Sequence, residues 1–318
     1  MTGTESKRPS PPSLSLCHSK EKNRLGKEIE PFVIVSDESG IDQAVQSVCF
    51  VAGPLSAIKS LNGACRKAVQ DAGTSEIKFK DIDDARKRDA AKAALSAFLD
   101  CPHCRAMTLT WNLVDSRHQV QRRDNSANFH RMLFHGLRSV ADWFGDIEWH
   151  WYHDQNTALD QAELQAFLNN TRGYRILSGM PVNLFGEYRH TIRLTKVGQR
   201  CSKDMPLIGL ADFLAGATRH SVHDGAGCVE VHRHKGGQQG FSFEEVQAHV
   251  TVSDAVLAKR EMVSYLREEC GRRKLGVSLE STNRLETHRK GSKVWFWHYE
   301  PQGDYDKAPT KPERVHLR

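Results

Sequence analysis

Residues 32–40 read FVIVSDESG, an apolar run that ends in two carboxylates, Asp37 and Glu38, and turn residues. A second apolar run, QSVCFVAGPL at 46–55, follows a short turn that contains Gly40. Short runs that are rich in β-branched and aromatic residues and bounded by turn residues are typical of strands. The two runs therefore predict an antiparallel hairpin in which Asp37 lies near the end of the first strand.

Helices and strands alternate through the rest of the chain. Helical patterns are present at 56–73, 83–100, 126–144, 156–173, 204–220 and 253–274, the third opening with a Ser cap at 126. Strand patterns are present at 104–114, 146–154, 182–197 and 293–300. This succession predicts an α/β fold with a mixed sheet flanked by helices, opening with an antiparallel hairpin and followed by a C-terminal helical extension.

The composition is that of a globular protein with appendages. The chain has 318 residues, of which 39% are hydrophobic and 26% are charged, and its formal net charge is +6. The N-terminal segment is rich in Pro, Ser and charged residues, which predicts a flexible arm over residues 1–30. We expect a main domain over 31–224, a C-terminal extension over 225–300 and a disordered tail over 301–318.

The sequence disfavours membrane and secreted proteins. The longest apolar runs fall far short of the roughly 20 residues that a membrane helix requires, so we expect no membrane contact. The N-terminal segment lacks the apolar core and cleavage site of a secretory signal. The 8 Cys residues are too dispersed for a disulfide-stapled domain. These features predict a cytoplasmic protein and leave its oligomeric state open.

Four carboxylates lie at related positions in the predicted elements. Asp37 ends the first strand, Glu76 opens the segment EIKFK, Asp154 ends the strand DIEWHWYHD, and Asp212 lies inside the apolar helix IGLADFLAG. A turn explains Asp37 by itself, and Asp154 is also a favourable cap for a following helix. Asp212 is harder to explain, because a charge among apolar neighbours is excluded from a buried surface unless it is paired or bound to metal.

Carboxylates that converge on one point repel each other unless cations neutralise them. Two Mg²⁺ or Mn²⁺ ions about 4 Å apart, bridged by a strand carboxylate, suit the in-line attack of water on a phosphodiester. We therefore expect the metal ligands to be Asp37, Glu76, Asp154 and Asp212. The alternative is that Glu76 is a surface carboxylate, that Asp154 caps a helix, and that Asp212 pairs with an arginine.

Three motifs resemble those of a known family. SDESG at 36–40, EIKFK at 76–80 and GLADFLAG at 209–216 are similar to the three signature motifs of the domain-of-unknown-function 3800 family, whose members have a ribonuclease H-like fold. The resemblance extends over approximately residues 32–220. It implies a ribonuclease H-like fold for the domain predicted over 31–224, and it implies a nuclease.

The resemblance also implies which residues form the site. Asp37, Glu76 and Asp212 match the family's candidate metal ligands, with Glu38 and Lys78 as close neighbours in the catalytic site. The position of Asp154 is similar to that of the acidic strand end in the wider ribonuclease H-like superfamily.

Two further positions bear on this resemblance. If EIKFK is extended, Lys78 points to the same side as Glu76, where it contacts a scissile phosphate or balances the carboxylates. The final motif of the family usually has Gln three residues before its Asp, and this chain has Gly209 there.

Positive charge is concentrated just before the helix that carries Asp212. Between positions 189 and 203 there are cations and no Asp or Glu. The candidate nucleic-acid-binding residues are Arg189, Arg193, Lys196, Arg200 and Lys203. Cations along the path of a phosphate backbone indicate a polyanionic substrate better than net charge does. We expect the substrate to be nucleic acid, either DNA or RNA, and the C-terminal extension to be a candidate surface for a protein partner.

Other patterns permit chemistry but have simpler explanations. Cys101-Pro-His-Cys104 matches a dithiol motif, but it follows a helix instead of opening one, which disfavours redox chemistry. Residues 201–234 contain His and Cys at spacings that permit either a zinc site or a chance cluster. The aromatic strand at 293–300 is suited to stacking on bases or to docking on a core, and we favour docking. A basic cluster over 267–274 fits a solvated helix end.

The sequence thus favours a metal-dependent nuclease that hydrolyses phosphodiester bonds at a carboxylate site with two metal ions. The alternative is a catalytically inactive ribonuclease H-like subunit that binds nucleic acid or assembles into a complex.

Overall fold

A computed structural model of the chain describes residues 30–115, 125–144, 147–155, 193–237, 252–289 and 291–300, together with positions 164, 172–173 and 190–191. The predicted tail, and the predicted arm apart from residue 30, lie outside these residues. Within this described part of the chain, the structure contains no helix with the length and apolar character needed to span a membrane.

The strands form one six-stranded sheet and two small ribbons. They are β1 Phe32–Ser39, β2 Val45–Pro54, β3 Arg105–Asn112, β4 Glu148–His153, β5 Arg172–Gly173, β6 His190–Thr191, β7 Arg193–Gln199, β8 Val277–Ser278, β9 Glu286–Thr287 and β10 Val294–His298. The large sheet has the order β10-β3-β2-β1-β4-β7, while β5 pairs with β6 and β8 pairs with β9.

The orientations of the strands make the large sheet mixed. β2 is antiparallel to both β1 and β3, which confirms the predicted opening hairpin. β4 is parallel to β1 and to β7, and β10 is parallel to β3. A first strand that lies between an antiparallel and a parallel neighbour is consistent with the ribonuclease H-like fold that the resemblance implies. The predicted α/β fold is therefore confirmed.

The helices lie largely where the sequence predicts them. They are α1 Leu55–Asp71, α2 Ala85–Asp100, α3 Asn125–Ala141, α4 Leu207–His223, α5 Gly225–Gly237 and α6 Asp254–Arg272, with a short 3-10 helix at Phe79–Asp81. The side chain of Asp84 caps α2 by accepting the N–H of Arg86 at 2.8 Å. Ser126, the expected cap of α3, lies inside that helix, because α3 already includes Asn125.

Two hydrophobic clusters cover opposite faces of the sheet. Side chains alternate along a strand, so Val33 and Val35 of β1 belong to the first cluster and Ile34 belongs to the second. Residues of α1, α2, α4 and α6 join the first cluster, whereas α3 packs in the second. Asp37 is two residues after Val35 and four after Val33, so all three side chains point to the same face of the sheet. Asp37 lies at the end of this face, which α4 covers.

The segment predicted as a C-terminal extension, 225–300, shares this sheet and this core. β10 pairs with β3, and its residues Trp295 and Phe296 are buried in the second and first clusters respectively. Docking of the aromatic strand on a core is therefore confirmed. The helix predicted over 156–173 lies mostly outside the described residues, and its last two residues form β5.

Candidate active site

Asp37 belongs to β1. It is only 3% exposed, because β1 lies in the interior of the sheet between β2 and β4. The backbone N–H of Glu38 donates to Asp37 Oδ1 at 2.8 Å and holds one carboxylate oxygen. The other oxygen, Oδ2, faces the ammonium of Lys78. A strand that is apolar from Phe32 to Val35 thus positions a buried carboxylate at the edge of the core.

Asp154 lies beside Asp37 because β4 runs parallel to β1. Ser36 is in register with His153, and the N–H of Asp154 donates to the carbonyl of Ser36 at 3.2 Å. Since both strands run the same way, the carboxylates that follow this point meet at one edge of the sheet. The alternative role of Asp154, as cap of the helix predicted over 156–173, involves positions outside the described residues.

Lys78 lies between these two carboxylates. Its Nζ is 3.5 Å from Asp37 Oδ2 and 3.2 Å from Asp154 Oδ2. Burial by itself lowers the pKa of Lys78, but the charges of Asp37, Asp212 and Asp154 together raise that pKa above its ordinary value. The ammonium therefore stays protonated and serves as an internal counter-cation. Of the two roles expected for Lys78, balancing the carboxylates is the one seen in this structure.

Asp212 joins the site from α4. The backbone N–H of Phe79 donates to Asp212 Oδ2 at 2.6 Å, which links α4 directly to the EIKFK segment. Close approach of this helix depends on Gly209 and Gly216, which flank Asp212. A Cβ at Gly209 would lie 2.9 Å from the carbonyl oxygen of Ile77, and one at Gly216 would lie 2.4 Å from the Phe79 ring. Glycine at position 209 therefore has a packing reason.

The cluster carries more negative charge than Lys78 balances. Burial and then the charge of Asp212 raise the pKa of Asp37 well above its ordinary value, and the charges of Glu38 and Asp154 add to the effect. Burial also raises the pKa of Asp212 to about 6, although Lys78 opposes that change. Carboxyl groups whose pKa values are raised in this way are typical of a site that is completed by a cation or a proton.

Glu76 lies near enough to Asp212 for its charge to raise the pKa of Asp212. The hydroxyl of Ser202 donates to Glu76 Oε2 at 2.6 Å, and Ser202 is only 3% exposed. This contact holds the 200–204 loop next to the carboxylates. The sequence reasoning missed Ser202, and no spacing or motif distinguishes it from other serines, since its partner is 126 residues away.

Arg219 is a second residue that the sequence reasoning missed. It lies two helical turns after Asp212 on α4, a spacing that places both on one face and would have identified it. Its guanidinium donates to Ser39 at 3.1 Å and to Gln43. Burial lowers the pKa of Arg219. Among the described residues, no carboxylate lies within ion-pair distance of Arg219, so its positive charge faces the acidic site uncompensated by direct pairing.

The basic segment reaches the rim of the site. The backbone N–H of Arg200 donates to the carbonyl of His153 at 2.9 Å, which places Arg200 next to the residue preceding Asp154. Arg193, Lys196, Arg200 and Lys203 are exposed. Arg189 lies outside the described residues. The structure therefore brings part of the predicted cationic segment to the acidic site.

The donor set fits a hard divalent cation in its chemistry, because it consists of carboxylate oxygens with excess negative charge. Its arrangement is not that of a closed metal centre: among the described residues, no three His, Cys, Asp or Glu side chains are grouped to hold an ion. Lys78 occupies the position between Asp37 and Asp154 in this structure. Metal binding would require these carboxylates to exchange the ammonium for the ion.

The other motifs have structural roles. Cys101 follows the last residue of α2, at the negative end of the helix dipole, and burial raises the pKa of the Cys104 thiol. His232 contacts Ser264 at 3.0 Å and Glu280 at 3.0 Å. The basic cluster at the end of α6 pairs with carboxylates, since Arg272 and Arg273 both contact Glu269.

The sheet order and the carboxylates around Lys78 define the class of protein: an α/β protein with a ribonuclease H-like core and an acidic site at the end of its first strand. The chain belongs to the same family as two proteins of Methanothermobacter thermautotrophicus, ORF2' and ORF2, both described as uncharacterized. It is 31% identical to ORF2' over 79% of this chain and 86% of ORF2'. It is 34% identical to ORF2 over 74% of this chain and 80% of ORF2.

No family model matches the sequence. Among solved structures, a chain in the PCNA:RNase HII complex from Archaeoglobus fulgidus is similar at a TM-score of 0.34, with 14% identity over 71% of this chain and 93% of that chain. Similarity at this level assigns no function.

Proposed function

We propose that this protein is a divalent-metal-dependent nuclease that hydrolyses phosphodiester bonds of nucleic acid. The observation that carries the proposal is the convergence of Asp37, Asp154 and Asp212 around Lys78, from three separate elements of the fold. A structural ion pair needs one carboxylate for one ammonium, and the additional buried carboxylates raise the free energy of the folded protein. An arrangement that costs stability in this way is typical of a functional site.

The ligands in this proposal are Asp37, Asp154 and Asp212, with Glu76 held beside them by Ser202. When bound, two Mg²⁺ or Mn²⁺ ions would supply an activated water and stabilise the leaving oxygen. The chain itself supplies the oriented carboxylates. Asp37 is oriented by the N–H of Glu38, and Asp212 is oriented by the N–H of Phe79.

Cations of the chain bind the substrate in this proposal. Lys78, once released from the carboxylates, has the length and charge to contact the scissile phosphate. Arg200 and Lys203 are exposed on either side of Ser202 and are suited to contact neighbouring phosphates. Arg219 contributes a further positive charge from α4. DNA and RNA both present the backbone that these groups recognise.

The three motifs support membership of the domain-of-unknown-function 3800 family as part of this proposal. The contacts of Lys78 with Asp37 and of Phe79 with Asp212 join all three motifs at one site. A shared site gives a physical reason for the three motifs to occur together.

A second candidate function is a catalytically inactive subunit that binds nucleic acid. It is favoured by the position of Lys78, whose ammonium already balances two carboxylates without a metal ion. In that case the cationic rim binds nucleic acid while the acidic residues serve the fold, and the 225–300 segment is a candidate surface for a protein partner.

A cleavage assay separates these functions. The full-length protein would be incubated with labelled single-stranded DNA, duplex DNA, RNA and an RNA–DNA hybrid, in Mn²⁺, in Mg²⁺ and in EDTA. We expect cleavage of at least one substrate with metal and none in EDTA. Asp37→Asn should abolish it, because the exchange removes a ligand charge while it keeps the side-chain shape.

Asp81→Asn is the matched control. Asp81 lies just after the EIKFK motif but pairs with Lys87, at 2.7 Å, outside the carboxylate cluster. This variant should cleave like the unchanged protein. If no substrate is cut, or if Asp37→Asn cuts as well as Asp81→Asn, the nuclease proposal is wrong.

A further inference from the structure

We propose that the sheet surface formed by His150 and Tyr152 of β4 and by Lys196, Gly198 and Arg200 at β7 binds an unpaired strand of nucleic acid and leads it to Asp154. The substrate class is therefore single-stranded nucleic acid or a duplex with an unpaired end. This inference rests on the proposed nuclease function and specifies the substrate of the same site.

Strand periodicity places this surface in line with the acidic site. Trp149 and Trp151 of β4 are buried in the second cluster. His150 and Tyr152 therefore point to the opposite face of the sheet. Asp154 is two residues after Tyr152, so the same alternation places it on that face. Tyr152 and Asp154 are separated by about 7 Å along the chain direction. A strand of nucleic acid in contact with Tyr152 thus lies within reach of the carboxylates.

The ring of Tyr152 is partly buried against the first cluster, and exposed cations lie beside it. Lys196 Nζ lies 5.9 Å from the ring centroid, and the Arg200 guanidinium lies 5.4 Å from it. Both of these cations are exposed. Unlike Arg260, which is anchored by the Asp224 carboxylate, they pair with no carboxylate within the described residues. They are therefore available to bind phosphate.

Gly198 leaves room beside the ring. It is the register partner of Tyr152 across the β4–β7 pair, and a Cβ there would lie 3.7 Å from the Tyr152 ring. A larger side chain at this position would extend over the ring from the neighbouring strand. The ring of His150 lies 6.5 Å from that of Tyr152 and continues the aromatic surface along β4.

An aromatic ring beside exposed cations favours an unpaired strand over a duplex. Bases in a duplex are stacked on each other and do not present a face to a protein ring, whereas unpaired bases stack on aromatic side chains or on arginine. The cations contribute sequence-independent contacts to the backbone. The combination indicates binding without strong sequence preference.

Binding measured in EDTA tests this inference apart from catalysis. Fluorescence anisotropy would compare a labelled single-stranded oligonucleotide with a blunt duplex of the same sequence. We expect the full-length protein to bind the single strand more tightly. Tyr152→Leu, which retains an apolar side chain for packing, should weaken that binding at least about fivefold through loss of stacking. Tyr152→Phe should bind the single strand as tightly as the unchanged protein does. Lys196→Ala and Arg200→Ala should each lower by about one the slope of the logarithm of affinity against the logarithm of salt concentration, because each removes one cation that contacts a phosphate.

Tyr265 and Lys92 provide a matched control, because they form a similar pair, at 5.4 Å, between α6 and α2. Tyr265→Leu and Lys92→Ala should bind like the unchanged protein. Equal affinity for duplex and single strand, or equal affinity of Tyr152→Leu and Tyr265→Leu for the single strand, would overturn the inference. If the unchanged protein binds the single strand as expected but shows no metal-dependent cleavage, the proposed nuclease function is wrong instead.

Discussion

Lys78 determines the electrostatic balance of the candidate site. Its ammonium contacts Asp37 and Asp154, and the charge of Asp212 also raises its pKa. The side chain of Lys78 is 19% exposed, so water screens these interactions less than it would at the surface. One residue therefore offsets much of the repulsion between carboxylates from three elements.

Lys78→Met should destabilise the protein when no divalent cation is present. The exchange leaves Asp37 and Asp154 without their counter-cation, which should cost up to about 3 kcal/mol of unfolding free energy. Mn²⁺ should then raise the unfolding temperature of Lys78→Met more than that of the unchanged protein, because the metal ion no longer competes with the ammonium. Thermal unfolding in EDTA and in Mn²⁺ measures both effects.

The control for this prediction is Lys67→Met. Lys67 pairs with Asp71 on the surface of α1, where the two side chains are 74% and 62% exposed. Such pairs contribute little to stability. Identical behaviour of Lys78→Met and Lys67→Met would contradict a balancing role for Lys78.

Asp212 should make stability depend on pH. Burial raises the pKa of Asp212 to about 6, whereas an unfolded Asp has a pKa of about 3.9. The folded state then binds more protons between these pH values, so stability falls as pH rises through this window. Asp212→Asn removes this dependence and should raise the unfolding temperature above pH 6 by roughly 5 °C in EDTA.

Urea unfolding between pH 4 and pH 8 measures this effect, with Asp71→Asn on the surface of α1 as the control. Asp71→Asn should follow the pH profile of the unchanged protein. A profile of Asp212→Asn that falls as steeply as that of the unchanged protein would contradict the assignment.

At the scale of elements, the contact of α4 with residues 77–79 assembles the site. Gly209 and Gly216 allow the helix to approach Ile77 and Phe79, and Asp212 between them accepts the Phe79 N–H. The two glycines on one face of α4 thus determine how closely Asp212 approaches residues 77–79.

Gly216→Ala should move α4 away from residues 77–79. Its Cβ would lie 2.4 Å from the Phe79 ring, so the ring or the helix must move, at a cost of about 1–3 kcal/mol. Phe79→Leu in the same chain should recover part of this loss. Chemical denaturation measures both variants.

Gly63→Ala is the matched control for Gly216→Ala. Gly63 lies inside α1, and no atom would lie within 4 Å of its added Cβ. Alanine is favoured over glycine inside a helix, so this variant should gain about 1 kcal/mol. A gain at Gly216 as well would show that the close contact with Phe79 has no energetic cost.

At the scale of the whole molecule, residues distant in sequence complete one core. Met262 and Leu266 of α6 and Phe296 of β10 are buried in the first cluster with residues of β1 and α4. β10 also covers the edge of β3, whose backbone groups would otherwise be open to pairing with another chain.

A fragment of residues 31–224 should therefore not fold independently. It lacks α6 and β10, so it exposes part of the first cluster and the β3 edge. We expect this fragment to aggregate or to unfold without cooperativity in circular dichroism and size-exclusion chromatography. A fragment of residues 31–300 should unfold cooperatively. A monomeric 31–224 fragment with a sharp unfolding transition would contradict this expectation.

The prediction from sequence was most successful for local elements. The hairpin of β1 and β2, the helices α1, α2 and α4 and the strand β10 follow hydrophobic periodicity, which reports only which side of an element is buried. Asp37 and Asp212 stood out for the same local reason, since each is a charge in or beside an apolar element.

The sequence by itself determined most of the elements before Gly225, the mixed α/β fold and the carboxylates worth testing, but it did not predict α5, β8 or β9. Only the tertiary structure decided that Lys78 lies between Asp37 and Asp154, that Ser202 holds Glu76, and that Tyr152 lies beside Lys196 and Arg200. These contacts join residues far apart in the chain. They depend on strand register and on the close approach of α4, and a periodic pattern within a single element contains no information about either.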